Sequence, residues 1–277
     1  MGLRSAIGAF FFSSLVAIAP GWAQDAPVPA TDQRDYLDSP NGCAPATVLN
    51  LLKFGGTGYR PVLEGLIGSS DGVKMRFLVD RYFRLRKSTI HPAEQRWGVH
   101  GIACEDLTAG LNELLAEHGA PALSARYLDR EEGETEADHL TRVCRLISRS
   151  LAEETPPILN LRSFVVKRRE ENGNEPKWET GASHYVLVTA LRGTPSETGS
   201  ELEVIDPWKG RRTVIYLHRE ANGRDFLALK GTLTNGTWRD DRPFLQVLAP
   251  DVASVRPANV EWSDRYLLVA NHLIGRF

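Results

Sequence analysis

Three residues in this chain have the chemistry for nucleophilic acyl transfer: Cys43 at the start of an apolar run, His184 at the start of another, and Asp206 at the end of a third. The thiolate is the reactive form of cysteine, and its pKa falls at a helix N-terminus or beside an imidazolium. Cys43 meets the first condition through its own neighbours. Pro45, Val48, Leu49 and Leu52 recur with the period of a helix, and Gly55-Gly56 ends it. Pro45 is tolerated because the first turn has no intrahelical partners for its N–H groups. Gly42, just before the cysteine, lets a substrate or partner strand approach the backbone closely. The same position also suits a small buried hydrophobe or half of a disulfide, so the cysteine alone decides nothing.

His184 opens the run SHYVLVTAL, with Val186 and Val188 on its own side and Leu187 on the other, as in a strand buried on both faces. Rigidity of that kind suits a general base; it equally suits a core histidine bonded to backbone. Asp206 ends the run ELEVID, and Pro207 forces it into an extended conformation. A carboxylate there can accept a hydrogen bond from the ring of His184 and fix its tautomer, or can be an ordinary turn aspartate.

Helix-start cysteine, strand-start histidine and strand-end Asp-Pro, in that order, resemble the papain-like cysteine peptidases, and among them the double-glycine leader (bacteriocin-processing) peptidases. The matching stretches are Cys43-Ala44-Pro45-Ala46-Thr47, His184-Tyr185-Val186-Leu187-Val188 and Asp206-Pro207. The resemblance implies that Cys43 is the nucleophile, His184 the base that later protonates the leaving amine, and Asp206 the group that orients it. Two departures stand out. Family members carry a glutamine shortly before the cysteine, whose amide helps to stabilise the oxyanion; Leu37 occupies that place here. Asn41, Ser39 or a rearranged Gln33 are the candidates to replace it. Ala44 stands where the family has glycine.

The elements that must carry these residues divide the chain in two. Helices are expected over 43–54, 72–86 with Met75, Leu78, Val79 and Tyr82 on one face, 105–118, and 136–152 with Leu140, Val143, Cys144, Ile147 and Leu151 in register. After Pro156-Pro157 come short β-branched runs bounded by glycine, proline and charge, as strands are. The tail from Ser263 reads as a short capped helix. Helices followed by strands argue for an α+β fold. The resemblance makes it papain-like, with the nucleophile helix in a helical N-terminal half packed on a mainly antiparallel C-terminal sheet. A long polar insert, 165–182, leads into His184 and is expected to be a mobile flap.

Residues 1–23 have the layout of a secretory signal peptide: Arg4, an apolar stretch short for a bilayer, then Gly21 and Ala23. Residues 24–35 read as a flexible lead-in, and 36–277 as one domain. No later stretch is apolar enough to span a membrane, so a periplasmic or secreted location is expected. A formal net charge of −2 gives no electrostatic footprint for nucleic acid, and the basic run 167–169 is cancelled by Glu170 and Glu171. In an oxidising compartment three cysteines suggest one free thiol and one pair; Cys104 and Cys144, each on the apolar face of a helix, are the expected disulfide. His91, His100 and Cys104 lack the spacing of a metal site, so no metal or cofactor is expected. The expectation is an exported cysteine peptidase or amidase acting on a peptide or protein through a thioester. The rivals are a papain-like binding or assembly module without activity, favoured by the missing glutamine, and an acyl transferase of transglutaminase-like type.

Overall fold

The computed structural model describes residues 28–36, 41–167, 177–193, 195–196, 199–218, 229–233, 236–240, 244–252, 255 and 265–277. The expected signal peptide and Ser39 lie outside these residues, as do the centre of the 165–182 insert and Leu37.

Helix α1, Cys43–Phe54, is the pivot of the helical half. Sequence periodicity assigns it one apolar face, yet every residue from Ala44 to Leu52 is buried. A helix apolar on all sides belongs inside a protein, and α1 is covered by α2 (Arg60–Gly65), α3 (Asp71–Leu78) and the sheet. Beyond α3 the chain widens into a π-helical stretch, Val79–Arg84, so the helix expected over 72–86 is two joined pieces. A small hairpin, β1 (Trp97–Gly98) and β2 (Gly101–Ile102), leads into α4, Cys104–Glu117, and then β3, Ser124–Tyr127. Helix α5, Glu136–Ala152, starts from a capping box built by Thr135 and Asp138.

The strands that follow are β4 (Ile158–Lys167), β5 (Lys177–Arg192), β6 (Gly199–Asp206), β7 (Arg211–His218), the hairpin β8 (Leu229–Leu233) and β9 (Gly236–Asp240), β10 (Gln246–Leu248) and β11 (Arg265–Gly275). Six of them join β3 in one antiparallel sheet of order β10-β7-β6-β5-β4-β11-β3, and β10 also pairs with β11, so the sheet curls back on itself. The fold is α+β. The tail expected to be a helix is instead β11, an interior strand paired with β4 on one side and β3 on the other. Its run from Leu267 to Ile274 is buried throughout, which is why its apolar pattern lacks alternation.

Alternate residues of the sheet feed two cores. Ile158, Tyr185, Leu187 and Ile205 face α1 to α4, whereas Leu159, Val186, Val188 and Val204 face α5. The expected disulfide fails on this geometry. Cys104 packs in the first core and Cys144 in the second, with the sheet between them, and all three cysteines are free thiols. The stretch expected as a flexible lead-in is tied down at Thr31. Thr31 is fully buried, its N–H donates to Asn50 Oδ1 of α1 at 2.7 Å, and its hydroxyl donates to Asp71 Oδ2 at 2.8 Å. The ends of the polar insert are not loop either: β4 and β5 run on into it as a paired ladder as far as Lys167 and Lys177.

Candidate active site

Cys43 is the first residue of α1, where the opening N–H groups have no intrahelical acceptors. Gly42 has no side chain to cap them, and Pro45 brings no N–H of its own. One turn later Thr47 donates its hydroxyl to the carbonyl of Tyr185 at 3.0 Å, which fixes the start of α1 against β5 beside His184.

His184 is held from two sides. Opposite it in β4 lies Leu161, and just before it the β4–β5 register slips, leaving a bulge at residues 181–182. The buried hydroxyl of Ser163 fills that bulge, accepting from Ala182 N–H at 2.7 Å and donating to Ala182 C=O at 3.1 Å. A bulge here re-aims the strand immediately before the imidazole. From the other side, Asp206 at the end of β6 accepts a hydrogen bond from His184 Nε2 at 2.8 Å. Both side chains are almost wholly buried. Nε2 is thereby committed to the carboxylate, which leaves Nδ1 free of it, and the Cys43 side chain lies close enough to His184 for each to shift the other's titration. Asp206 Oδ1 takes a second hydrogen bond from the N–H of Trp208 at 2.9 Å.

The electrostatics follow from these contacts. Burial pushes the Cys43 thiol up, but the hydrogen bond and charge of His184 and the N–H groups of Tyr185 and Ala44 outweigh it, so the pKa is lowered. Burial pushes His184 down, and the hydrogen bonds to Asp206 and Cys43 more than reverse this, raising it to about 9. Each partner's charged form stabilises the other's, the condition for a thiolate–imidazolium pair. The other two cysteines are different. Burial raises the Cys144 thiol, and burial, then the Glu105 carboxylate, raise that of Cys104.

Of the three residues named for the oxyanion, Gln33 lies in contact with the start of α1. It sits in a 3-10 turn, Gln33–Asp35, docked on the residues after Asp206: Gln33 N–H donates to Pro207 C=O at 2.8 Å. A Cβ placed on Gly42 would come within 2.7 Å of Gln33 C=O and 3.3 Å of its Cβ, so glycine is required there by space. The Gln33 side chain is buried and its oxygen has no hydrogen-bond partner among the described residues, so no bond of that oxygen fixes the amide. Asn41 is otherwise engaged: its Nδ2 donates to Val99 C=O in the β1–β2 hairpin at 2.8 Å.

Sequence reasoning did not single out Ser163 or Asp32, the residue that caps the 3-10 turn. For Asp32 a signal existed, since aspartate before a short polar run is a capping pattern; Ser163 carries none, because a bulge depends on pairing. No protein-family model, no curated protein and no solved structure matches this chain.

Proposed function

We propose that this chain is a papain-like cysteine peptidase or amidase that cleaves a peptide or amide bond through Cys43, His184 and Asp206. The observation that carries the reading is the continuous line of contacts from the Cys43 thiol at a helix N-terminus, through His184, to the fully buried Asp206 carboxylate. A structural histidine has no need of both a neighbouring cysteine and a buried carboxylate partner. A helical layer that presents the nucleophile to an antiparallel sheet that presents the base supports the papain-like form of the fold.

In this reading the Cys43 thiolate attacks the substrate carbonyl carbon, and the oxygen becomes an anion in front of α1. The N–H of Cys43 and the Gln33 amide donate to it; donors aimed at that developing charge contribute about 3–4 kcal/mol each when lost singly. The His184 imidazolium protonates the leaving amine, the C–N bond breaks and a thioester on Cys43 remains. Neutral His184 then takes a proton from water as its oxygen attacks the thioester, and the C–S bond breaks to release the acid and restore the Cys43 thiolate beside the His184 imidazolium. Asp206 keeps Nδ1 turned to the sulfur throughout. The substrate is a peptide or protein met after export.

The test is the pH dependence of Cys43 alkylation by iodoacetamide in the wild-type protein and in His184→Ala. Rapid alkylation well below the pKa of a free thiol, lost in His184→Ala, is expected. A thiol with ordinary reactivity in both proteins refutes the reading and favours a binding module.

A further inference from the structure

We infer that Asp32, about ten residues before the nucleophile and far from His184 in sequence, is a positioning residue for Asp206. The inference rests on the proposed role of the Cys43–His184–Asp206 line and extends it by one link. The carboxylate of Asp206 is aimed in part by the N–H of Trp208, and Trp208 opens a tight turn, Trp208–Gly210, in which Lys209 has φ 68° and Gly210 φ 56°. A lysine in the left-handed region is disfavoured, so something outside the turn must hold it. Asp32 does so: its Oδ1 accepts the N–H of Lys209 at 3.1 Å.

The same carboxylate organises its own side of the contact. Oδ1 accepts the Arg34 N–H at 3.0 Å and so caps the 3-10 turn that carries Gln33. The Arg34 guanidinium grips both Asp32 oxygens, at 2.5–3.0 Å, and lies 5.9 Å over the ring of Trp208. Gln33 N–H to Pro207 C=O completes a two-bond seam between the turns. A side chain on Gly210 is also excluded, because a Cβ there would meet Ala30 C=O at 2.6 Å. The segment before α1 is therefore a template on which the Asp206 turn is moulded, and Asp32 touches neither substrate nor sulfur.

The test compares the alkylation pH profile and the melting temperature of wild type, Asp32→Asn, Asp32→Ser and Thr31→Val. Asparagine keeps an oxygen for Lys209 N–H. Serine still caps the 3-10 turn but is one bond too short to reach Lys209. Thr31→Val removes a tie of the same segment to Asp71 without touching the turn. Asp32→Ser is expected to move the alkylation midpoint up by about one pH unit, roughly tenfold less thiolate below it, while Asp32→Asn and Thr31→Val stay close to wild type. A profile in Asp32→Ser that matches wild type, or an equal displacement in Thr31→Val, overturns the inference and reduces Asp32 to a stabilising contact. A wild-type thiol that is ordinary and indifferent to His184→Ala overturns the site itself, and that result is distinguishable because it appears before any Asp32 variant is compared.

Discussion

At the scale of single residues, the coupled titration of Cys43 and His184 sets the pH behaviour. His184 holds its proton up to about pH 9 in the folded chain, and a free imidazole releases it near about 6.5. Its contribution to stability is therefore full below the lower value and lost as pH rises through the upper one. Cys43, with a lowered pKa, works in the opposite sense: its contribution is present above the unfolded thiol value and lost as pH falls through the folded one. Where both groups are charged in the folded chain and neutral in the unfolded one the slopes offset, so wild-type denaturant stability should be nearly flat there. Cys43→Ser removes the thiolate's slope, so the offset should be lost and the pH profile of stability should differ from wild type; a profile unchanged from wild type would contradict the assignment. Gln33 is tested by rate: Gln33→Ala should lower kcat/KM by about 10²–10³ with KM little changed. An unchanged rate would show that the oxyanion is served by backbone alone.

The elements show where sequence reasoning succeeded and where it stopped. The helices holding Cys43, Cys104 and Cys144, and the strands holding His184 and Asp206, were legible because each carries a regular apolar period or a run bounded by proline and glycine. β11 was misread because a strand buried on both faces has no alternation, and Asn271 and His272 mark a register shift rather than a polar face. Gln33 was named only as one of three candidates, since its approach to Gly42 is made by a turn resting on Pro207, about 170 residues away in sequence. The β4–β5 bulge and the Gly42 contact now give element-scale expectations. Ser163→Ala leaves Ala182 N–H without its acceptor and should cost about 1–3 kcal/mol, with slower Cys43 alkylation at neutral pH. Gly42→Ala puts a poor N-cap residue in place of a tolerated one and pushes Gln33 away; activity should fall further than melting temperature accounts for, and a fully active variant would mean that the contact is slack.

Across the whole molecule, the sheet separates the two cores, with Cys43 and Cys104 on one side and Cys144 on the other. Alkylation of the native, unreduced protein should modify Cys43 alone, whereas all three cysteines should react after unfolding without any reductant; a disulfide found between Cys104 and Cys144 would require the sheet to be breached. Ile147, fully buried against α5's side of the sheet, offers the complementary check: Ile147→Ala should destabilise by about 2–5 kcal/mol while leaving the alkylation profile of Cys43 where it was. Chain order adds a further consequence. β11 follows every other strand in sequence, yet it lies between β4 and β3 and also closes the sheet onto β10. A nascent chain that has emerged only through β7 already carries Cys43, His184 and Asp206, but β4, the strand that backs His184, still lacks its outer neighbour. The wall behind the imidazole is thus finished only when β11 has been made and docked.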